Sequence, residues 1–398
     1  MTAPVELPFE QANPMEPAPG LRRLQAQGPI HPVRTAVGDP AWLVTGYEQV
    51  RRLLDDNRLG RAHAEPETAS RTGLSALFGG PMGDFATEEV DHRRMRSLMQ
   101  PYFTPKRMRA LSGRVAEITG GLLDELADKG PPADLHQALA LPLPITVICE
   151  LLGVPYADRA QFRDWTQAAA DVTDQARSEQ GLAALFEYGR GLVAGKRSKD
   201  PADDGDDVIT GYARMADVDD DEAALLSMGL LFAGHETTVV AIGLGTLWLL
   251  HNRDQWEALV ADPARVDTAV EEILRSPGLG GGGTGGITRY ARVDLEIEGV
   301  KVRAGDLVVL DLNAANHDSA VFADPDRFDV ARQGAGHLSF GYGARYCIGA
   351  PLARVELQVV LKQLVGRFPT MRLAVPAESL SINRHVLAGG LTSLPVTW

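Results

Sequence analysis

Apolar residues recur at helical spacing along most of the chain, in blocks separated by Gly and Pro. From Tyr47 onward YEQVRRLLDD, ALSGRVAEITGGLLDELAD and LALPLPITVICELLGV each set apolar side chains three and four positions apart. A further helical stretch runs from about Asp158 to Lys199 and stops at the acidic loop SKDPADDGDDV. These blocks read as helices packing on helices. Up to about residue 45 the chain is rich in Pro and Gly, and the short pieces GPIHPVRT and PAWLVTG read as a small sheet edge. Gly299 to Asn313, GVKVRAGDLVVLDLN, alternates apolar and polar residues, and the C-terminal stretch repeats that habit. The pattern predicts a mainly α protein with a minor β portion.

Two segments break the helical pattern. Residues 57 to 90 carry several Gly and Pro and only scattered Leu and Phe. A loop of that length in a compact domain is functional or disordered, and its isolated apolar residues predict a lid over a binding cavity. The other segment is GLGGGGTGG at 278 to 286, whose lack of side-chain bulk fits a roomy or pliable pocket wall. No internal repeat is present.

The most hydrophobic stretch, Ala223 to Leu250, is long enough to cross a bilayer. The acids Asp219, Asp220, Asp221 and Glu222 precede it, where a helix dipole favours negative charge. Its centre holds His235, Glu236, Thr237 and Thr238, which a membrane span would place at the costliest depth. No second stretch resembles a span that could partner it. The sequence therefore predicts a helix buried in a large protein, with its polar middle facing a cavity. Gly234 would let a flat ligand approach the backbone or leave room for a small molecule. On these residues alone, a carboxylate capped by structural hydrogen bonds fits Glu236 equally well.

Composition narrows the class. The chain has 398 residues, 23% charged and 44% hydrophobic, and its net charge is −14. That balance suits a globular protein with a large core, here expected to form a single domain over residues 1–398. A positive field for nucleic acid or anionic membrane is lacking, so neither is an expected partner. Two cysteines exclude a disulfide scaffold, and the start MTAPVELPFEQANPMEP has no signal-peptide pattern, so a cytoplasmic location is expected.

The two cysteines differ. Cys149, in ITVICELLG, reads as a small core residue. Cys347 lies among glycines in HLSFGYGARYCIGAPLARVELQVVLKQL, at the mouth of a helix that begins at Ala350. Amide donors and the helix dipole there are expected to lower its pKa and favour a thiolate. A thiolate serves as a nucleophile or as a metal ligand. No His base flanked by Asn or Asp accompanies it, and no second Cys for a zinc site lies near. One thiolate still holds an iron when a porphyrin supplies the other equatorial ligands.

Phe340, Gly341, Gly343, Arg345, Cys347 and Gly349 match F-x-x-G-x-x-x-C-x-G, the haem-binding loop of cytochrome P450 enzymes. Ala233, Gly234, Glu236, Thr237 and Thr238 match that family's A-G-x-E-T-T helix motif, and Glu272 with Arg275 match its E-x-x-R pair. Arg327 or Arg332 of RFDVAR would complete the latter triad. The chain thus resembles a cytochrome P450 over essentially its whole length.

The resemblance implies a triangular helical prism around haem b (iron protoporphyrin IX), with Cys347 as the iron ligand and Phe340 beside the sulfur. It implies cations for the two propionates at His92, Arg96, Arg289 and Arg345, the last standing where bacterial members often carry His. It implies that Glu236 and Thr237 are the acid–alcohol pair that delivers protons during oxygen activation. A structural hydrogen bond from Thr237 to a carbonyl one turn earlier is the plainer alternative. The triad would be a structural ion network.

Partners follow from the same resemblance. Residues 91–114 hold seven basic side chains against the single acid Asp91, a local reversal in an acidic chain. In the family this region borders the face where an acidic ferredoxin docks, supplied by ferredoxin reductase and NAD(P)H. The pattern is most similar to soluble actinobacterial members that tailor macrolides, polyene macrolides in particular. This implies hydroxylation of a C–H bond in a bulky secondary metabolite by a monomer. Epoxidation, oxidation of a terpenoid or another polyketide, and a non-catalytic haem sensor are the alternatives.

Overall fold

The computed structural model describes residues 5–10, 15–198, 205–276, 286–386 and 388–398. The chain opens with β1 (Val5–Glu6), α1 (Pro19–Gln25), β2 (Ile30–Arg34), β3 (Pro40–Val44), α2 (Tyr47–Leu54) and β4 (Leu59–Gly60). The helical body comprises α3 (Glu88–Met99), α4 (Pro105–Lys129), β5 (Ala133–Asp134), α5 (Pro142–Leu152), α6 (Arg159–Ala169), α7 (Gln175–Arg197) and α8 (Val208–Ala213). It continues with α9 (Asp220–His251), α10 (Arg253–Ala261) and α11 (Val266–Arg275). The last part holds β6 (Gly286–Ala291), β7 (Leu295–Ile297), β8 (Val300–Val302), β9 (Leu307–Asp311), α12 (Leu312–Asn316), α13 (Ala350–Arg367), β10 (Arg372–Leu373) and β11 (Pro395–Thr397).

Helix boundaries follow local chemistry. The Thr104 hydroxyl accepts from Arg107 N and Pro105 supplies the first turn of α4, while Gly153, at φ 80°, ends α5 in the left-handed region. The single helical stretch expected from Asp158 to Lys199 is two helices. Asp171 Oδ1 accepts from Thr173 N at 2.8 Å and Asp174 N at 3.0 Å, and Asp174 then caps α7 through Arg177 N. These local bonds offer the backbone a turn in place of continued helix.

The predicted apolar helix is α9. It is long and apolar enough to cross a membrane, yet twenty of its 32 residues are buried within the protein. It packs against α5, α7, α11 and α13 in the main apolar core. Its start is capped by Asp219, whose carboxylate accepts from Glu222 N at 2.8 Å.

The larger sheet runs β1-β2-β3-β9-β6-β4. β9 lies between parallel β3 and antiparallel β6, and all five of its residues are buried. Coverage on both faces explains why the expected polar alternation is missing there. Register places Arg289 of β6 opposite Val308 of β9. A three-stranded sheet, β10-β11-β5, joins two short C-terminal strands to one from mid-chain, and β7 pairs with β8.

Residues 61–87 contain no helix or strand and pack against the turn before α7, against α7 and against α9. Leu74 N donates to Val172 O at 3.3 Å, Ala76 N to Ser178 Oγ at 3.1 Å, and Phe78 stacks on Phe232 with centroids 6.0 Å apart. The C-terminal turn closes in from the other side. Val172 N donates to His385 O, and a Cβ on Gly390, at φ 99°, would lie 2.9 Å from a Val240 methyl. The glycine run at 278–285 lies outside the described residues.

The triad is formed by Glu272, Arg275 and Arg332; Arg327 contributes its carbonyl to Arg332 instead of a charge. Arg275 meets Glu272 in a bidentate pair at 2.8 and 2.9 Å and also donates to Asn316 O and Pro325 O. Asn316 in turn accepts from Leu338 N at 2.7 Å and donates to Ser339 Oγ at 2.8 Å. The network therefore fixes the segment leading to Cys347. Glu272→Gln leaves the buried Arg275 and the half-buried Arg332 short of a counter-charge, so denaturant unfolding is expected to show a loss of about 3–5 kcal/mol.

Candidate functional site

One face of α9 is open although the helix is central. Leu225, Gly229, Ala233 and Thr237, four residues apart, are exposed, and Gly234 and Glu236 beside them are half-buried. Spacing of four sets these residues along one stripe, so the middle of a core helix looks into a space. Gly234 serves packing more than expected: a Cβ there would lie 3.0 Å from Ile148 of α5.

The Thr237 hydroxyl donates to Ala233 O at 2.9 Å, the plainer arrangement named above. Its oxygen retains acceptor capacity toward the open face. Glu236 is desolvated, and burial raises its pKa. His235 points into the protein at 1% exposure, and neither ring nitrogen has a hydrogen-bond partner among the described residues. Burial, then the Arg163 charge, pushes its pKa down to about 4, so its 3.7 Å approach to Glu236 joins a neutral ring to the acid.

The Cys347 loop is shaped by its own backbone and by side chains around it. Cys347 N donates to Phe340 O at 2.8 Å, and Gly341 and Gly343 adopt φ of 72° and 69°. Asp55 fills the space where a Cβ on Gly343 would lie, accepting from Ala344 N at 3.1 Å. The Arg354 guanidinium sits 4.7 Å over the Phe340 ring and pairs with Glu271 at 2.6 and 2.9 Å. Burial opposes the Glu271 charge, but bonds from Arg354 and His337 outweigh it and hold that carboxyl at about 2.

The expected low thiol pKa is not what this loop produces. Cys347 keeps accessible area, yet the protein crowding its other sides desolvates it. That burial raises its pKa despite the amides of Gly349 and Ala350 and the charges of Arg96 and Arg354. Cys149 behaves as a core residue, 1% exposed, with burial raising its thiol to about 12.

The four residues predicted to hold the propionates, His92, Arg96, Arg289 and Arg345, gather at one side, together with Arg61, which the sequence reading missed. Arg289 is buried and donates to Thr288 O at 2.8 Å; burial, then Arg61 and Arg345, depress its pKa to about 9. Arg96 donates to Tyr346 O at 2.9 Å in the cysteine loop. His92 is a neutral donor at pH 7, since burial, then Arg345 and Arg96, lower it to about 4. Arg345 pairs with the buried Glu88 at 2.6 Å. Arg61, Glu88, Arg292 and Arg354 have no spacing signal in the sequence; Arg61 is a lone charge in an aperiodic loop.

A surplus of half-buried and buried guanidinium groups calls for anions, and the accessible Cys347 of the adjoining loop offers a sulfur ligand. Haem b offers two carboxylates and an iron, so these residues fit it. The Cytochrome P450 family profile matches residues 264–376. Pentalenolactone synthase of Streptomyces exfoliatus is 40% identical over 399 residues, covering 98% of each chain. CYP105P1, solved with filipin I, superposes with a TM-score of 0.87 at 36% identity, over 100% of this chain and 99% of that one. PimD, described as a polyene macrolide antibiotic pimaricin epoxidase, superposes at 0.86 with 36% identity and full coverage of both chains. The chain belongs to the cytochrome P450 family, whose members bind haem b, and is a P450 monooxygenase.

The buried histidines give a pH test. His235 titrates near 4 when folded but near 6.5 as a free side chain, so the unfolded chain takes up its proton first. The stabilising neutral state is fully kept above pH 6.5 and its advantage is lost as pH falls toward 4. His235→Phe is expected to flatten the decline of urea stability in that window by up to about 1.4 kcal/mol per pH unit.

Proposed function

We propose that the chain, as one monomeric and cytoplasmic domain over residues 1–398, hydroxylates a C–H bond of a bulky macrolide, with electrons delivered by a ferredoxin and its reductase from NAD(P)H. Bound haem b supplies the reductive activation of dioxygen. Cys347 would hold its iron, with Phe340 shielding the sulfur and Gly341 and Gly349 letting the loop turn around it. His92, Arg96, Arg289 and Arg345 would hold the propionates, and Ala233 and Gly234 would give the open face of α9 its low profile.

The observation that carries the reading is an exposed Thr237 hydroxyl beside a desolvated Glu236 in the middle of a core helix. Glu236 would take protons from solvent and Thr237 would orient them toward the open face. A raised Glu236 pKa suits this task, because a carboxyl nearer to ambient pH both accepts and releases a proton readily. Ala388, Gly389 and Gly390 add little bulk near Val240, which supports room for a large rigid ligand. The filipin I bound by CYP105P1 and the description of PimD as a polyene macrolide antibiotic epoxidase support the macrolide class, and the latter keeps epoxidation as the second reading.

For the electron donor, the basic block narrows. Arg94 is committed to Glu222 and Asp217, Arg107 to Asp206, and Arg114 to Glu150 and Glu117. Lys106 and Arg109 are exposed and form no ion pair among the described residues, where Arg93 has only Glu89 at 3.7 Å. These three are the cations free to steer an acidic ferredoxin.

Reconstituted turnover of polyene and other macrolactones, read by mass spectrometry, is expected to give a product with one added oxygen atom. Thr237→Ala should cut product per NAD(P)H by about 10²-fold, with hydrogen peroxide appearing instead. Lys106→Glu should slow the reaction at low salt without changing substrate affinity. Unaltered coupling in Thr237→Ala contradicts the relay.

A further inference from the structure

Glu88, the first residue of α3, is a buried carboxylate with every acceptor direction used. Oε1 accepts from Arg345 Nη2 at 2.6 Å and Arg61 N at 2.7 Å. Oε2 accepts from Arg292 Nη1 at 3.1 Å and Ala62 N at 3.1 Å. One side chain thus ties together the start of α3, the cysteine loop, the end of β6 and both ends of the lid. A Cβ on Gly60 would collide with this carboxylate, so the lid begins at a glycine for steric reasons.

The charges around it are unequal. Arg61 and Arg289 are both disfavoured by burial and by neighbouring guanidiniums, and for both Glu88 is the acid that opposes this. His92 feels the same field, lowered by burial, Arg345, Arg96 and Arg61 and raised by Glu88. Four arginines, Arg61, Arg289, Arg292 and Arg345, therefore share one fixed carboxylate. These four charges against one leave an excess of three, of which two propionates would offset two.

We infer that Glu88 is a positioning residue for the cofactor: it is the fixed counter-charge that holds Arg345 in place and sets the net charge of the propionate cradle. This rests on the reading that Arg345 faces the propionates. A flexible arginine crowded by like charges would swing outward, whereas one anchored by a saturated carboxylate keeps a single orientation. Glu88 also offsets part of the positive field at the haem. Its charge therefore disfavours the reduced, more negative state, and the Arg345 charge favours it.

The test is the haem reduction potential, measured by spectroelectrochemistry on purified holoprotein, with haem transfer to an acceptor apomyoglobin as a second readout. Glu88→Gln is expected to raise the potential, Arg345→Gln to lower it, and the double variant to return toward the wild type. Both single variants should release haem faster, by about tenfold for the loss of one charge-assisted bond. Glu89→Gln, one residue away and exposed, should move neither. A merely structural role would not give opposite signs that cancel.

If Arg345→Gln leaves the potential unmoved, the propionate reading of Arg345 is overturned, and the inference with it. If Arg345→Gln lowers the potential while Glu88→Gln fails to raise it, or the double variant does not return, the role of Glu88 alone is overturned. Should Glu88→Gln yield no holoprotein, Glu88→Asp keeps the charge and shortens the reach. It is then expected to hold the potential and accelerate haem transfer, and unchanged transfer overturns the positioning role.

Discussion

The segment from His337 to Gly349 has little regular structure of its own, so its shape must be imposed from outside. The imposing group is a buried ion network. Glu272 anchors Arg275 and Arg332; Arg275 holds the carbonyl of Asn316; the Asn316 amide holds Leu338 and Ser339. Ser339 Oγ closes the circuit on Leu274 O at 2.5 Å, back on the helix that carries the acid. A buried salt bridge is poor value as stability alone, because desolvation offsets most of its attraction. Its use here is geometric, since a loop built on left-handed glycines has no ladder of backbone bonds to define it.

Two electrostatic tensions meet at the site. Burial raises the Cys347 pKa, and burial with neighbouring arginines depresses that of Arg289. Each would be relieved by a group of opposite charge, a metal at the sulfur and carboxylates at the guanidiniums. A single flat cofactor carrying both explains why the cysteine loop, α3 and β6 are cross-linked by charged side chains. In the proposed reading α9 provides the complementary surface, a low stripe with an acid and an alcohol at its middle. The 61–87 segment and the C-terminal turn both bond to Val172, and each also touches α9, at Phe232 and Val240.

Much of this was legible in the sequence because it is local. The 3.6-residue period located α2, α4 and α5, the long apolar run located α9, and the glycines around Cys347 marked its loop before a helix. What was not legible depends on contacts distant in sequence. The choice of Arg332 over Arg327 turns on which side chain reaches Glu272, sixty residues away. The break at Asp171 comes from a side-chain turn inside an otherwise helical pattern. The thiol pKa was misjudged because the sequence displays nearby amide donors but not desolvation, and desolvation wins. Glu88 and Arg61 carried no pattern, although three-dimensionally they sit at the centre of the charged cradle.

The claim beneath all of this is that the Cys347 sulfur, as a thiolate, is the protein's ligand to the haem iron. The most direct test is the absorption spectrum of the dithionite-reduced protein under carbon monoxide, taken beside a Cys347→His variant. The account predicts the strongly red-shifted Soret band of a thiolate-ligated haem for the natural chain and its loss in the variant. A band at the shorter wavelength typical of imidazole ligation in the natural chain, or the same spectrum in both proteins, would contradict it.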